Sequence, residues 1–335
     1  MTNEDSVKET IMLKVTGTFL DEISHDIPHQ NWGEKEWDKD FRAMKAMGIR
    51  KVFMIRCGYK RFCTYPSAVL EKLEGAYRPP LDLVDLFLRL AEKHGMEFFF
   101  GTYDSGVPWY RPEVPYDVEK EVDVMRRVVD EAWERYGKYP AFKGWYLSQE
   151  IGRRNAKAQA CYKILGEHCK AFSPDLKIFI SPGMLGPKAY NADMQKLGKT
   201  IPLREHEDEW NQIMEQIHSF VDIIAFQDGH LNFEDLPDFL AVNKKLCDRY
   251  GIECWTNCES FDRDMPINFL PIKWEKMLLK LTYAAQAGVK DAITFEFSHF
   301  MSPNSVYHAA HNLYDRYCEH YGLAARAADF APWKD

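Results

Sequence analysis

FKGWYLSQEIG, Phe142–Gly152, is an apolar run that leads directly into Ser-Gln-Glu, with a glycine two residues after the carboxylate. As a strand, it places Gly144, Tyr146, Ser148 and Glu150 on one face and Trp145 and Leu147 on the other, because successive side chains alternate. Either Glu150 marks where the strand reaches water, or it stands at the mouth of a barrel to do chemistry.

Seven other short apolar runs accompany it. LKVTGTFL from Leu13, KVFMIRCGY from Lys51 and MEFFFGTYDS from Met96 come before; LKIFISPG from Leu176, VDIIAFQDG from Val221, ECWTNCESF from Glu253 and DAITFEFSHF from Asp291 come after. Longer helical patterns separate them. Glu34–Gly48 and Leu81–Gly95 each end in glycine, a common helix stop. Asp117–Gly137 is long and amphipathic. Further helices are expected over Asn155–Ala171, Glu207–Phe220, Phe233–Tyr250, Ile272–Ala287 and Ser305–Tyr321. Eight strands, each followed by a helix, predict a single-domain (β/α)8 TIM barrel spanning residues 1–335, with residues 1–12 a flexible amino-terminal extension. The rival is an open doubly wound sheet. No GxGxxG or GxxxxGK[ST] follows any run, which removes its usual nucleotide-binding form.

Composition narrows the partners. The net charge of −8 and the lack of a Lys/Arg block argue against nucleic acid and anionic membranes. No run is long enough to span a membrane, and the polar start MTNEDSVKETIMLK lacks the apolar core of an export signal. The eight cysteines are scattered without CxxC spacing. A reducing, cytoplasmic setting is expected, with an already removed export signal as the alternative.

In a barrel, function gathers where strands end. The first strand ends near Asp21 and Glu22, with Trp32 in the loop beyond. The second gives Arg56 and Tyr59; the third Tyr103, Asp104 and then Trp109; the fourth Gln149 and Glu150. The sixth gives Gln227, Asp228 and His230, the seventh Asn257 and Glu259, and the eighth Glu296, Ser298 and His299. In the eighth, Ile293, Phe295 and Phe297 are expected to face the helices, and Thr294, Glu296 and Ser298 the interior. The sixth has no readable alternation. In the seventh, Asn257 and Glu259 share a face, but the opposite face is not clearly apolar.

Carboxylates ending strands four and seven lie across the barrel mouth from each other. A retaining glycosidase needs such a pair, about 5–5.5 Å apart, one attacking the anomeric carbon and the other shuttling the proton. Glu150 and Glu259 therefore resemble the acid/base and nucleophile of the clan A retaining glycosidases. GWYLSQE resembles that clan's strand-four motif, with Gln149 where the clan usually has asparagine, and Arg56 resembles its nucleophile-contacting arginine. More closely, NWGEKEWDKDFRAMKAMGI, LAEKHGMEFFFGTY, GWYLSQE and IIAFQDG resemble an uncharacterised Bacteroidetes family of glycosidase-like barrels, domain of unknown function 4434. The resemblance implies the fold, and names no substrate.

The leading expectation is a glycoside hydrolase acting on an oligosaccharide or glycoconjugate by double displacement, with Glu150 as acid/base and Glu259 as nucleophile. Arg56, Gln149, Gln227, Asp228, Asn257, Asp104 and Glu296 are expected to hold hydroxyls or position the carboxylates. Trp32, Trp109, Tyr59 and Tyr103 are candidate stacking platforms, since apolar sugar faces pack on rings; ordinary loop packing is the plain alternative for each. No metal or cofactor is required. Two other readings stay open. One is a metal-dependent sugar isomerase or epimerase, with Glu150, Asp228, Glu259 and Glu296 around a divalent ion and His230 or His299 adding nitrogen. The other is a barrel that binds carbohydrate without turning it over.

Overall fold

The computed structural model describes residues 12–24, 27–111, 113–188, 200–265 and 269–323. Of the expected amino-terminal extension, only Met12 falls within them. In chain order the first half runs β1 (Val15–Leu20), α1 (Glu34–Met47), β2 (Lys51–Met54), a hairpin of β3 (Gly58–Tyr59) and β4 (Phe62–Cys63), α2 (Ala68–Glu74), α3 (Leu83–His94), β5 (Glu97–Gly101), α4 (Val118–Tyr136) and β6 (Phe142–Tyr146). The second half runs α5 (Ala156–Phe172), β7 (Lys177–Ile180), α6 (Leu203–Ile217), β8 (Ile223–Gln227), α7 (Leu236–Tyr250), β9 (Glu253–Asn257), a hairpin of β10 (Phe261–Asp262) and β11 (Leu270–Pro271), α8 (Trp274–Gln286), β12 (Asp291–Thr294), α9 (Phe297–Phe300) and α10 (His308–His320).

The eight expected strands are β1, β2, β5, β6, β7, β8, β9 and β12. They pair in parallel in that order and close through β12 against β1, so the chain is a TIM barrel. The expected helices form, several with the caps their sequences supply. Asp82, Asp117 and Asn155 accept hydrogen bonds from the amides of Asp85, Lys120 and Ala158. Gly95 ends α3 at φ 69°, a conformation costly for any residue with a Cβ. α6 begins a turn earlier than its expected start, directly after Pro202.

Aromatic rings fill the barrel interior. Phe19, Phe53, Phe99, Tyr146, Phe179, Ile223, Ala225, Trp255 and Ile293 form one buried cluster. Phe53 lies 4.6 Å from both Phe99 and Phe179, centroid to centroid. Outside the strands, Trp145, Leu147, Ile224, Phe226 and Cys258 join the layer shared with the helices. Both faces of each strand are thus apolar, and burying each large side chain contributes about 1.5–3 kcal/mol. This explains why the sixth strand had no readable alternation. Ile223, Ala225 and Gln227 point inward there, and Ile224 and Phe226 outward.

The fourth and seventh strands have the expected parity, with Tyr146 and Trp255 inward and Trp145 and Cys258 outward. The eighth is reversed. Ile293 belongs to the interior cluster, and Phe295 packs against it. β12 ends at Thr294, and Glu296 caps the short α9, accepting from the amides of Ser298 (3.0 Å) and His299 (2.6 Å). The error has a physical cause: with an aromatic interior, apolarity no longer marks the helix side, and a buried carboxylate is tolerated on that side once a helix N-terminus satisfies it.

Among the described residues no helix is long and apolar enough to cross a membrane. All eight cysteines are unpaired, and all but Cys63 are buried.

Candidate active site

At the C-terminal ends of the strands lies a cavity of about 620 Å³, within the range of small-molecule sites. Arg56, Asp104, Trp109, Glu150, Gln227, Asn257 and Glu259 all line it, so the barrel brings together seven of the residues expected from sequence. Others are placed elsewhere. Tyr103 is 1% exposed and donates its hydroxyl to the Lys60 carbonyl (2.8 Å) within the wall. Trp32 packs edge-on against Trp37 of α1 at 5.0 Å. Tyr59 lies half-buried beneath Arg56 and Lys60, 5.4 and 5.0 Å from its ring centroid. Gln149, next to Glu150 and so on the opposite face, points its amide at Met125 of α4. Glu296 lies outside the cavity lining, holding α9.

Glu150 follows β6 and is exposed to the cavity, although protein packs densely around it. The Tyr146 hydroxyl donates to its Oε1 at 3.1 Å. The surrounding protein raises its pKa by withholding water. Arg56 and bonds from Gln227 and Tyr146 oppose this, the charge of Glu259 adds to it, and the net shift is upward.

Glu259 follows β9 and is only 2% exposed. Arg263 forks onto it, Nε to Oε2 at 2.6 Å and Nη2 to Oε1 at 2.7 Å. Burial works to raise its pKa, but the charge and bonds of Arg263, with the charge of Lys280, more than reverse this, and Glu259 titrates below the ordinary glutamate range. Its carboxylate lies against Gly229: a Cβ there would stand 1.6 Å from Oε2, so only glycine leaves room. The backbone is clamped as well. The Glu259 amide donates to Asp228 Oδ1 (3.1 Å), Lys280 Nζ donates to the Glu259 carbonyl (2.8 Å), and Lys280 pairs with Asp228 at 2.6 Å. Asp228, expected among the hydroxyl-holding residues, is therefore a buried partner of Lys280, its pKa pushed up to about 6 by burial and by Glu259 against the pull of Lys280. Lys280→Met leaves Asp228 buried without a cation and is expected to cost about 3–5 kcal/mol; an unchanged urea midpoint would show that the pair contributes nothing.

Arg56 does not contact the strand-seven carboxylate in the way the clan resemblance implies. It sits 3.8 Å from Asp104 Oδ2, and after burial, which opposes its charge, Asp104, Glu150 and Asp21 act on it most. The arginine on Glu259 is Arg263, which leaves no periodic signal in the sequence because it lies four residues on in an irregular loop. Tyr146 was legible only as sharing the face of Glu150. Tyr110, Phe269 and Phe295 add aromatic walls, and Tyr110 meets Trp109 edge-on at 5.4 Å.

The four carboxylates of the metal-site alternative do not converge. Asp228 serves Lys280, Glu259 serves Arg263, and Glu296 serves α9 and His299. His299 bonds Glu296 through Nδ1 and the Pro28 carbonyl through Nε2; burial opposes its charge, but these acceptors raise its pKa to about 9, so it is a cation rather than a ligand. Among the described residues, no three Asp, Glu, His or Cys side chains come together as a metal site.

The family model for domain of unknown function DUF4434 matches residues 15–307. No curated protein matches the sequence. Among solved structures, that of a putative alpha-L-fucosidase from Bacteroides thetaiotaomicron is 52% identical and superposes with a TM-score of 0.87 over 97% of this chain and 99% of the other. An endo-1,4-beta-D-mannanase from Thermotoga petrophila is 13% identical, TM-score 0.54, covering 85% of this chain and 88% of the other. A beta-D-glucuronidase from Dictyoglomus thermophilum is 14% identical, TM-score 0.52, covering 94% of this chain and 52% of the other. The last two show the fold alone: a barrel of the kind glycoside hydrolases use.

Proposed function

The chain belongs to the domain of unknown function 4434 family, and on that premise we propose that it is a retaining glycoside hydrolase acting on an oligosaccharide or glycoconjugate, with Glu150 as acid/base and Glu259 as nucleophile. One observation carries the reading: two carboxylates line one cavity, and their surroundings push their pKa values apart, Glu150 up and Glu259 down. A pair separated in this way supplies one proton donor and one anion at the same pH.

In the first step Glu150 gives its proton to the glycosidic oxygen as that C–O bond breaks. A Glu259 oxygen bonds the anomeric carbon. The Arg263 fork uses one lone pair on each carboxylate oxygen and leaves the others for attack. In the second step Glu150 takes a proton from water, the water oxygen bonds the anomeric carbon, and the bond to Glu259 breaks. Trp109 and Tyr110 offer faces for a sugar ring, and Arg56, Asp104, Gln227 and Asn257 offer groups for its hydroxyls.

The test is hydrolysis of a panel of aryl glycosides and oligosaccharides, with α-L-fucosides first because of the 52% identical relative. The first-formed sugar, read by proton NMR, is expected to keep its anomeric configuration; inversion, or no hydrolysis of any member, sinks the proposal.

The pH dependence follows from the two shifts. Turnover needs Glu259 ionised and Glu150 protonated. The lowered Glu259 pKa places the acid limb of kcat/KM below the ordinary glutamate range, and the raised Glu150 pKa places the alkaline limb above it. A bell with a plateau between is expected; a rate that keeps rising with alkalinity removes Glu150 as the acid.

A further inference from the structure

We propose that Glu259 has an arginine of its own: Arg263, from the loop after the seventh barrel strand, is the positioning residue that keeps Glu259 anionic and aimed, while Arg56, after the second strand, lies beside Asp104 in the same cavity. The inference rests on the hydrolase reading only for what the charge state is used for.

The geometry of the two pairs differs in kind. Arg263 meets Glu259 through two bonds, at 2.6 and 2.7 Å, with the side chains 8% and 2% exposed. A guanidinium fork fixes the plane of a carboxylate as well as its charge. The fork is itself held, because its carbon lies 4.8 Å from the centroid of Phe261, a buried ring. Gly229 lies against the junction of the fork: a Cβ there would stand 1.6 Å from Glu259 Oε2 and 2.7 Å from Arg263 Nε, so a larger residue would disturb the pair. Arg56 has no such fork. It reaches Asp104 at 3.8 Å and acts on Glu150 through space.

The charged and titratable groups around each carboxylate come from different elements. Glu259 faces Arg263 on its own loop, Asp228 and His230 after β8, Lys280 of α8 and Glu150 after β6; Cys258 adjoins it. Lys280 is committed to Asp228 and the Glu259 carbonyl. Burial lowers the His230 pKa to about 3, helped by Arg263, so it is neutral at working pH. Arg263 is then the cation that bonds the carboxylate itself. Glu150 faces Arg56 after β2, Tyr146 of β6, Tyr162 of α5 and Glu259.

The experiment is a carboxyl-carbon NMR titration of protein labelled with [5-13C]glutamate, the Glu259 signal being assigned by its loss in Glu259→Gln. Arg263→Met is expected to raise the Glu259 midpoint by about one pH unit or more, the size of effect one adjacent cation exerts. Arg263→Lys is expected to raise it part of the way, since an ammonium keeps the charge and loses the fork. Arg56→Met is expected to raise the Glu150 midpoint and leave that of Glu259 in place. An unmoved Glu259 signal in both Arg263 variants, or an equal shift in Arg56→Met, overturns the proposal; if Arg263→Met fails to fold, Arg263→Lys decides alone. Hydrolysis assays on the same proteins separate the two readings. A wild type that hydrolyses nothing, with Glu259 still shifting, removes the hydrolase and keeps the pairing. An active wild type whose acid limb and Glu259 midpoint ignore Arg263 removes the pairing and keeps the hydrolase.

Discussion

Glu259→Gln is expected to lower turnover by at least about 10⁴-fold, roughly 5 kcal/mol of transition-state stabilisation. An amide keeps the shape of the carboxylate and still accepts a bond from Arg263, but it cannot form the glycosyl ester on which the double displacement depends. The substitution also has a structural effect that must be separated from the chemical one. Arg263 is 8% exposed, and it loses its counter-charge. Truncating one member of a buried pair costs about 3–5 kcal/mol, and the remaining amide bond places this case at the lower end. Urea unfolding measures that loss. The double variant Glu259→Gln with Arg263→Met removes the cation that has lost this carboxylate and is expected to regain stability without regaining activity. Turnover within tenfold of wild type in the folded single variant would demote Glu259 to a structural anion.

Glu150→Gln is expected to cost about 10²–10⁴-fold on substrates with poor leaving groups, the usual worth of a positioned general acid. The loss should shrink on aryl glycosides whose leaving group needs no proton, because bond cleavage then no longer depends on Glu150. Stability should change little, since the side chain is open to the cavity and its direct bond from Tyr146 survives in the amide. The alkaline limb of the pH profile should vanish together with the group that titrates there. A uniform loss across good and poor leaving groups would point to a binding role instead.

The two expectations were legible in the sequence to different degrees. Glu150 could be read from parity alone, because Trp145 and Leu147 on the opposite face are large and apolar and Ser148 and Glu150 are polar. Its neighbour Gln149, expected from the resemblance of GWYLSQE to the clan motif, is sent by the same alternation to Met125. Glu259 had a weaker signal, since Cys254, Thr256 and Cys258 opposite it are small and ambiguous. Glu296 was placed on the wrong face. Phe295 looked like a helix-facing residue, yet the barrel interior is built of rings such as Phe19 and Phe53, and Phe295 extends that stack. The stacking candidates divide for a similar reason. Trp109 lies on a long loop over the cavity, whereas Trp32 and Tyr103 have partners that hold them in the wall.

The sequence by itself determined the alternation of eight apolar runs with amphipathic helices, which predicts a barrel; that the sheet closes, β12 against β1, rather than staying open is seen only in the tertiary structure. The sequence also determined which residues reach the C-terminal rim, because strand ends are local. Tertiary structure alone decided which rim residue meets which. Lys280 on Asp228 and Arg56 beside Asp104 join separate elements, and Arg263 folds back onto Glu259 within one irregular loop. Charge pairing depends on separations of a few ångströms in space, and periodicity along the chain carries no record of them.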